Sequence, residues 1–344
     1  MKGKSCWTTL VALSALLGGA VLLIFFMPRS YGTPDWERSR TVRYWDLKTG
    51  SRIAYHHLVG RGKVRRETPI IYLHGGPGGM VSERLFQVLA PLQDAGFDLY
   101  FYDQIGGGHS ARLAAIAEYT LTRHQEDLAA IIERLGTPQV ILIAQSWGAI
   151  LASHFLAQHP ERIAKVILTG PAPIYPLRPE LAQRRADPKL GLQAPTFTNE
   201  MANQKWRNLR TRCIDWCATI LGQKIASDQE VDDYFSQLNR DLRKATVCDP
   251  ERARRTFTRG GYYCHIMTLA SLSQAPDHRS RFRQIQTPLL LLRGTCDNQA
   301  WGFTEEYLDL FPGAELRIIK GAGHLIFDEA PVEYWRAILR FCVE

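Results

Sequence analysis

The chain has 344 residues, 45% hydrophobic and 22% charged, an ordinary balance that excludes a disordered chain and leaves room for one large α/β domain or two smaller ones. Residues 171–283 hold 19 of the 42 Lys and Arg but 12 of the 34 Asp and Glu, so nearly all of the formal net charge of +8 lies in one segment. Charge so placed attracts anionic substrates or an acidic membrane surface, with a solvated basic face as the plainer account. No nucleic-acid motif accompanies it, so nucleic acid is not expected as a partner.

After Lys2 and Lys4, the 22 residues from Cys6 to Met27 carry no charge. As a helix rising about 1.5 Å per residue they would cross a bilayer core of about 30 Å. Residues 1–30 are therefore read as an N-terminal transmembrane signal anchor. A cleavable signal peptide is the rival, although Met27-Pro28-Arg29-Ser30-Tyr31-Gly32 makes a weak cleavage site. Basic residues balance across the segment, so orientation rests on its short N-terminal tail. That tail favours a membrane-anchored or exported protein with its catalytic domain on the non-cytoplasmic side.

The first part of the core, residues 31–170, opens with strand-like sequence from Thr41 to Tyr55. Pro69-Ile70-Ile71-Tyr72-Leu73 and Asp98-Leu99-Tyr100-Phe101-Tyr102 are continuous apolar runs suited to strands buried on both faces. Glu83 to Ala95 and Thr122 to Leu135 have helical periodicity. Val140-Ile141-Leu142-Ile143 predicts a strand, Ala149 to Gln158 a helix, and Lys165-Val166-Ile167-Leu168 the next strand. Alternation at this spacing implies a mostly parallel sheet with helices on both faces.

From Pro171 the pattern changes. Pro171, Pro173, Pro176 and Pro179 interrupt it, and residues 171–283 read as an inserted helical lid. Within it, Ser227-Asp228-Gln229-Glu230 has the form of a capping box before a stripe of Val231, Tyr234, Phe235, Leu238 and Leu242. The second part of the core, residues 284–344, resumes with strands at Pro288–Leu292 and Glu315–Ile319 and closes with a helix over 331–341.

Ala144-Gln145-Ser146-Trp147-Gly148 stands between a predicted strand and a predicted helix. Small residues two positions either side of Ser146 allow a sharp turn that exposes its hydroxyl above the sheet, the form of a nucleophile elbow. A serine hydroxyl needs a base, and the base needs a group to orient it. His324, in the loop after the last predicted strand, and Asp297, at the end of the preceding one, fill those roles in the order Ser146, Asp297, His324. Asp328 and Asp309 are rival acids, but each lies within or beside a helix. A tetrahedral oxyanion needs two N–H donors. Trp147 supplies one by following the nucleophile; Gly76, with Gly75 as fallback, supplies the other from His74-Gly75-Gly76-Pro77-Gly78-Gly79.

These motifs, with Asp103-Gln104-Ile105-Gly106-Gly107-Gly108-His109-Ser110 and Gly321-Ala322-Gly323-His324, resemble the proline iminopeptidase branch of the α/β-hydrolases. The likeness covers roughly residues 40–170 and 284–344 and is weak across the lid. Ala144 stands where the family usually has glycine, and Ile105 where arginine is common; neither removes a catalytic group. The resemblance implies the α/β-hydrolase fold and an aminopeptidase that releases N-terminal proline or small residues from short peptides through an acyl-enzyme. A carboxylesterase or lactonase acting on a small molecule with the same triad is the alternative. A hydrolase-fold receptor is disfavoured because such proteins tend to lose a triad member. No metal or organic cofactor is implied.

Family members that take N-terminal proline bind its ammonium with lid carboxylates, for which Glu200, Glu230, Asp232 and Asp233 are the candidates. A basic lid is not what such a pocket predicts. Cys213, Cys217, Cys248 and Cys264 cluster, with Cys6, Cys296 and Cys342 apart; disulfides and free buried thiols both remain open. Cys264-His265 alone is weak evidence for a metal.

Overall fold

Ile70–Leu73, Val140–Gln145 and Leu289–Gly294 are strands buried at every position, as a parallel sheet covered on both faces requires. The structure is a computed structural model and describes residues 12, 19, 27–33, 41–254 and 258–344. In chain order come β1 (Arg43–Asp46), β2 (Arg52–Leu58), β3 (Ile70–Leu73), α1 (Glu83–Val88), α2 (Ala90–Asp94), β4 (Leu99–Tyr102), α3 (Leu121–Leu135), β5 (Val140–Gln145), α4 (Trp147–Gln158) and β6 (Ile163–Thr169). The chain then leaves the sheet for α5 (Asn199–Trp206), α6 (Leu209–Leu221), α7 (Asp228–Leu242), α8 (Tyr262–Ser271) and α9 (Arg279–Phe282). It returns with β7 (Leu289–Gly294), α10 (Trp301–Leu310), β8 (Glu315–Ile319), α11 (Ile326–Glu329) and α12 (Pro331–Val343).

The strands stand in the order β1-β2-β4-β3-β5-β6-β7-β8. Pairing is antiparallel for β1 with β2 and β2 with β4, and parallel elsewhere. Because side chains alternate along a strand, each strand feeds two cores. Ile71, Leu73, Leu142 and Leu168 share one with Leu128 of α3 and Leu151 and Phe155 of α4. Ile70, Tyr72, Ile143 and Ile167 share the other with Leu85 of α1, Leu92 of α2 and Ile338 of α12. The expected mostly parallel sheet with helices on both faces is present.

Two local expectations need correction. The helix expected over 83–95 is two short ones parting at Leu89, because Pro91 has no N–H with which to continue the ladder. Ser227 caps α7 by accepting the Glu230 N–H at 3.1 Å, but the capping box does not close through the Glu230 side chain. Arg210 takes that carboxylate with bonds of 2.6 and 2.7 Å.

The segment between β6 and β7 packs on the sheet core through Val231, Tyr234, Phe235 and Leu238 of α7. Close backbone contacts also tie it down. The Gly261 N–H donates to Gly78 O at 2.7 Å, and a Cβ on Gly78 would stand 2.3 Å from that Gly261 oxygen. Cys248 is disulfide-bonded to Cys296, beyond β7, while Cys213, Cys217, Cys264 and Cys342 are free. The clustered cysteines therefore do not pair with one another. Cys6 and nearly all of the expected anchor lie outside the described residues; among the described residues, no helix is long and apolar enough to cross a membrane.

Candidate active site

β5 ends at Gln145 and α4 begins at Trp147, which leaves Ser146 alone in the turn with φ 55° and ψ −118°. It is the one non-glycine residue with positive φ among the described residues. Such a conformation costs on the order of 1–3 kcal/mol and persists only where its surroundings fix it. Here the Ser146 N–H donates to Thr169 O at 3.1 Å, holding the turn to β6. Gly148 lets α4 start against β3, since a Cβ there would meet Leu73 O at 2.3 Å. Ala144, which stands where the resembled family usually has glycine, is a fully buried strand residue in register with Leu73 and Leu168. Its methyl belongs to the core and does not obstruct the turn.

The structure brings Asp297 and His324 together. His324 Nδ1 lies 2.9 Å from Asp297 Oδ1, and that oxygen also accepts the Gln299 N–H at 3.0 Å. Burial alone would raise the Asp297 pKa; the His324 ring, Arg293 and the Gln299 N–H outweigh it and hold the carboxyl below its usual range. Of the rivals, Asp328 is taken by Arg243 at 2.9 Å and Asp309 by Arg184 at 3.0 Å. A Cβ on Gly170, at φ +50°, would stand 2.8 Å from His324 Nδ1 and 3.1 Å from Asp297 Oδ2. Only the residue without a side chain fits beside the pair.

Two contacts around this pair were not anticipated from sequence. Arg293 stands 4.0 Å from Asp297 Oδ2 and donates to Thr304 Oγ1 at 2.6 Å; a lone arginine ending a run of leucines was its signal. Glu329 Oε2 accepts the Gly323 N–H at 2.7 Å, next to His324, and Oε1 accepts the Cys248 N–H at 3.0 Å. One carboxylate thus fastens the histidine loop to the disulfide that ends beside Asp297.

The glycine loop after β3 is anchored by a buried histidine. Gln104 N–H donates to His74 Nε2 at 2.9 Å, so the Nδ1 side carries the proton and donates to Gly75 O at 2.7 Å. Burial holds His74 neutral, its pKa pushed down to about 4. The Gln104 amide donates to His74 O at 3.0 Å and accepts from Trp147 Nε1 at 2.7 Å, bracing the loop against the start of α4. Asp103 accepts the Val81 and His109 N–H groups, both at 2.8 Å. Burial nevertheless pushes its pKa up to about 6. Gly76 has φ +136°, and a Cβ on Gly75 would come within 3.1 Å of Ser146 Cβ.

Gly75, Gly76, Ser146, Trp147 and His324 line one cavity of about 420 Å³. Asp297 supports it from behind. None of the four candidate ammonium-binding carboxylates is among the residues that line it. Glu230 is paired with Arg210, Asp232 with Arg112 at 2.9 Å, Asp233 accepts from Thr33 at 2.6 Å, and Glu200 from Gln204 at 3.2 Å. The cavity is lined instead by Tyr175, Phe235 and Leu269, by the amides of Asn199, Asn239 and Asn298, and by Arg243 and His265. Among the described residues that line it, none is Asp or Glu. Cys264 and His265 part: the thiol donates to Ile105 O at 3.2 Å, while the ring contacts Pro77 O at 3.0 Å.

The sequence pattern of the α/β-hydrolase fold family matches residues 68–331. The chain is 27% identical over 293 residues to a proline iminopeptidase of Heyndrickxia coagulans, covering 84% of this chain and 94% of that one. It is 26% identical to a proline iminopeptidase of Lactobacillus delbrueckii subsp. bulgaricus, covering 84% and 93%. Among solved structures, the proline iminopeptidase of Mycobacterium smegmatis superposes with a TM-score of 0.57 at 18% identity, over 87% of this chain and 97% of that one. An esterase from Exiguobacterium antarcticum gives 0.56 at 18% identity over the same shares. At that identity the structural likeness shows the fold.

Proposed function

The chain belongs to the α/β-hydrolase fold family and is a hydrolase, and on that premise we propose that it is a serine hydrolase working through Ser146, His324 and Asp297. Ser146 Oγ attacks a carbonyl carbon while His324 takes its proton. Asp297 holds the imidazole in the tautomer that can accept it and faces the imidazolium that forms. The N–H groups of Trp147 and of Gly76, or Gly75, receive the oxyanion. His324 then protonates the leaving group, and water releases the acyl group from Ser146. The observation that carries this reading is the 2.9 Å contact of His324 Nδ1 with Asp297, made by a histidine that shares its cavity with Ser146. Residues 171–283 act in it as the lid.

For substrate, we propose short peptides with an N-terminal proline or small residue, on the resemblance to proline iminopeptidases across 84% of the chain. A carboxylesterase or lactonase is the second reading, favoured by the lack of any acidic residue among the described residues that line the cavity. Assaying proline naphthylamide beside short acyl esters and lactones separates the two. Arylamide turnover is expected; ester turnover without it would overturn the peptidase reading.

Export of the catalytic domain is proposed as well, on the uncharged stretch at residues 6–27 and on the Cys248–Cys296 disulfide, a bond that persists in oxidising compartments. Protease added to intact cells should reach the catalytic domain. Protection until the cells are lysed would exclude that placement.

A further inference from the structure

We propose that the leaving group of the substrate carries a carboxylate and that Arg243, at the histidine side of the cavity, receives it. The inference rests on the serine-hydrolase reading and narrows its substrate class. Arg243 opens the turn that follows α7 and lines the same cavity as Ser146 and His324. That turn lies directly on the histidine loop: Thr246 O accepts the Leu325 N–H at 3.2 Å, and a Cβ on Gly323 would stand 2.5 Å from the same oxygen. His324 delivers its proton to the departing atom, so the groups around its loop face the leaving side of the substrate, not the acyl side.

The charge at this place is unbalanced. Asp328 is shared by three guanidinium groups, Arg243 at 2.9 Å, Arg84 at 3.1 Å and Arg254 at 3.8 Å. Nearby, Glu329 is occupied by the N–H groups of Gly323 and Cys248, and Asp249 has its own Arg252 at 3.2 Å. Four arginines therefore face three carboxylates. Of these arginines Arg243 lines the cavity, and none of the described residues lining it is acidic. An entering anion therefore meets a guanidinium with no carboxylate in the lining, and a guanidinium offers a carboxylate more donors than Asp328 alone takes up. The C-terminal carboxylate of a dipeptide fits this chemistry. The dipeptide's N-terminal residue becomes the acyl group on Ser146 Oγ, and its peptide C–N bond breaks. The nitrogen leaves with the proton His324 took from Ser146, and the C-terminal carboxylate leaves with it from Arg243.

The test compares kcat/KM for two matched pairs that differ only in the charge of the leaving group: prolyl-glycine against prolyl-glycine amide, and 4-acetoxybenzoate against 4-acetoxybenzamide. In each pair the anion should be favoured about tenfold or more, mainly through KM, and Arg243→Gln should bring the ratio close to one. A ratio near one in the wild type, or one unmoved by Arg243→Gln, overturns the inference. The ester pair reads the subsite even where peptides are not cleaved. Fluorophosphonate labelling of the variant reports whether Ser146 is still competent. Should Arg243→Gln fail to fold, wild-type salt dependence decides: KM for the anionic member should rise with salt while that of the neutral member stays level, and equal responses reject the subsite. No turnover of all four compounds together with no labelling overturns the serine-hydrolase reading itself, and the subsite with it.

Discussion

Replacing Ser146 by alanine should lower kcat about 10⁶-fold and abolish labelling by a fluorophosphonate, with little change in KM or in thermal midpoint. In the proposed mechanism the Ser146 hydroxyl forms the covalent intermediate, so its loss leaves His324 with nothing to deprotonate. The fold should be indifferent. The turn is held by the Ser146 N–H on Thr169 O and by the approach of Gly148 to β3, neither of which involves the hydroxyl. Alanine carries the same Cβ at φ 55° and so meets the same backbone cost. A residual acceleration of about 10³–10⁴ over the uncatalysed reaction should survive, from substrate binding and the N–H groups of the oxyanion site. Retention of most of the wild-type kcat would assign the chemistry to another nucleophile.

Asp297→Asn should lower kcat about 10⁴-fold while leaving Ser146 in place. An amide of the same shape can present its NH₂ to His324 Nδ1, and the imidazole then adopts the tautomer that puts its proton on the side facing the serine. The base becomes a donor. The imidazolium formed during attack also loses the charge that faces it. Stability should change with a definite sign. Because the folded Asp297 carboxyl titrates below its usual range, its ionisation stabilises the fold fully above the unfolded value of about 4 and ceases to do so as pH falls through the folded value. Melting curves of wild type and variant should therefore differ at neutral pH, begin to converge near about pH 4 and meet only below the folded value. A kcat within tenfold of wild type would remove Asp297 from the mechanism, and Asp328, already bound to Arg243, would be the acid to try next.

Most of the frame was legible because it is written in local periodicity. Ile70–Leu73, Val140–Gln145 and Leu289–Gly294 are unbroken apolar runs, and the strands they form are buried at every position. The elbow was legible for the same reason: small residues between a strand pattern and a helix pattern describe a turn before any tertiary contact is known. The contact of His324 with Asp297 followed from position at strand ends, since parallel strands bring their C-terminal ends to one edge of the sheet. The segment between β6 and β7 was legible only as helical and basic. Glu230 and Asp232, candidates from sequence for binding the substrate's ammonium, are both buried against arginines distant in sequence, Arg210 and Arg112.

The amino-acid sequence by itself determined the α/β alternation, the turn that presents Ser146, the chain order of the acid and the histidine, and the concentration of positive charge between β6 and β7. Each is a property of neighbouring residues or of composition. Tertiary structure alone decided that Cys248 joins Cys296, that Glu329 fastens the histidine loop, that Gly170 leaves room for the His324–Asp297 pair, and that Arg243 rather than a carboxylate faces the cavity. These depend on which distant segments are brought within a few ångströms, and such proximity is set by the packing of the whole sheet and its insertion, which no local pattern encodes.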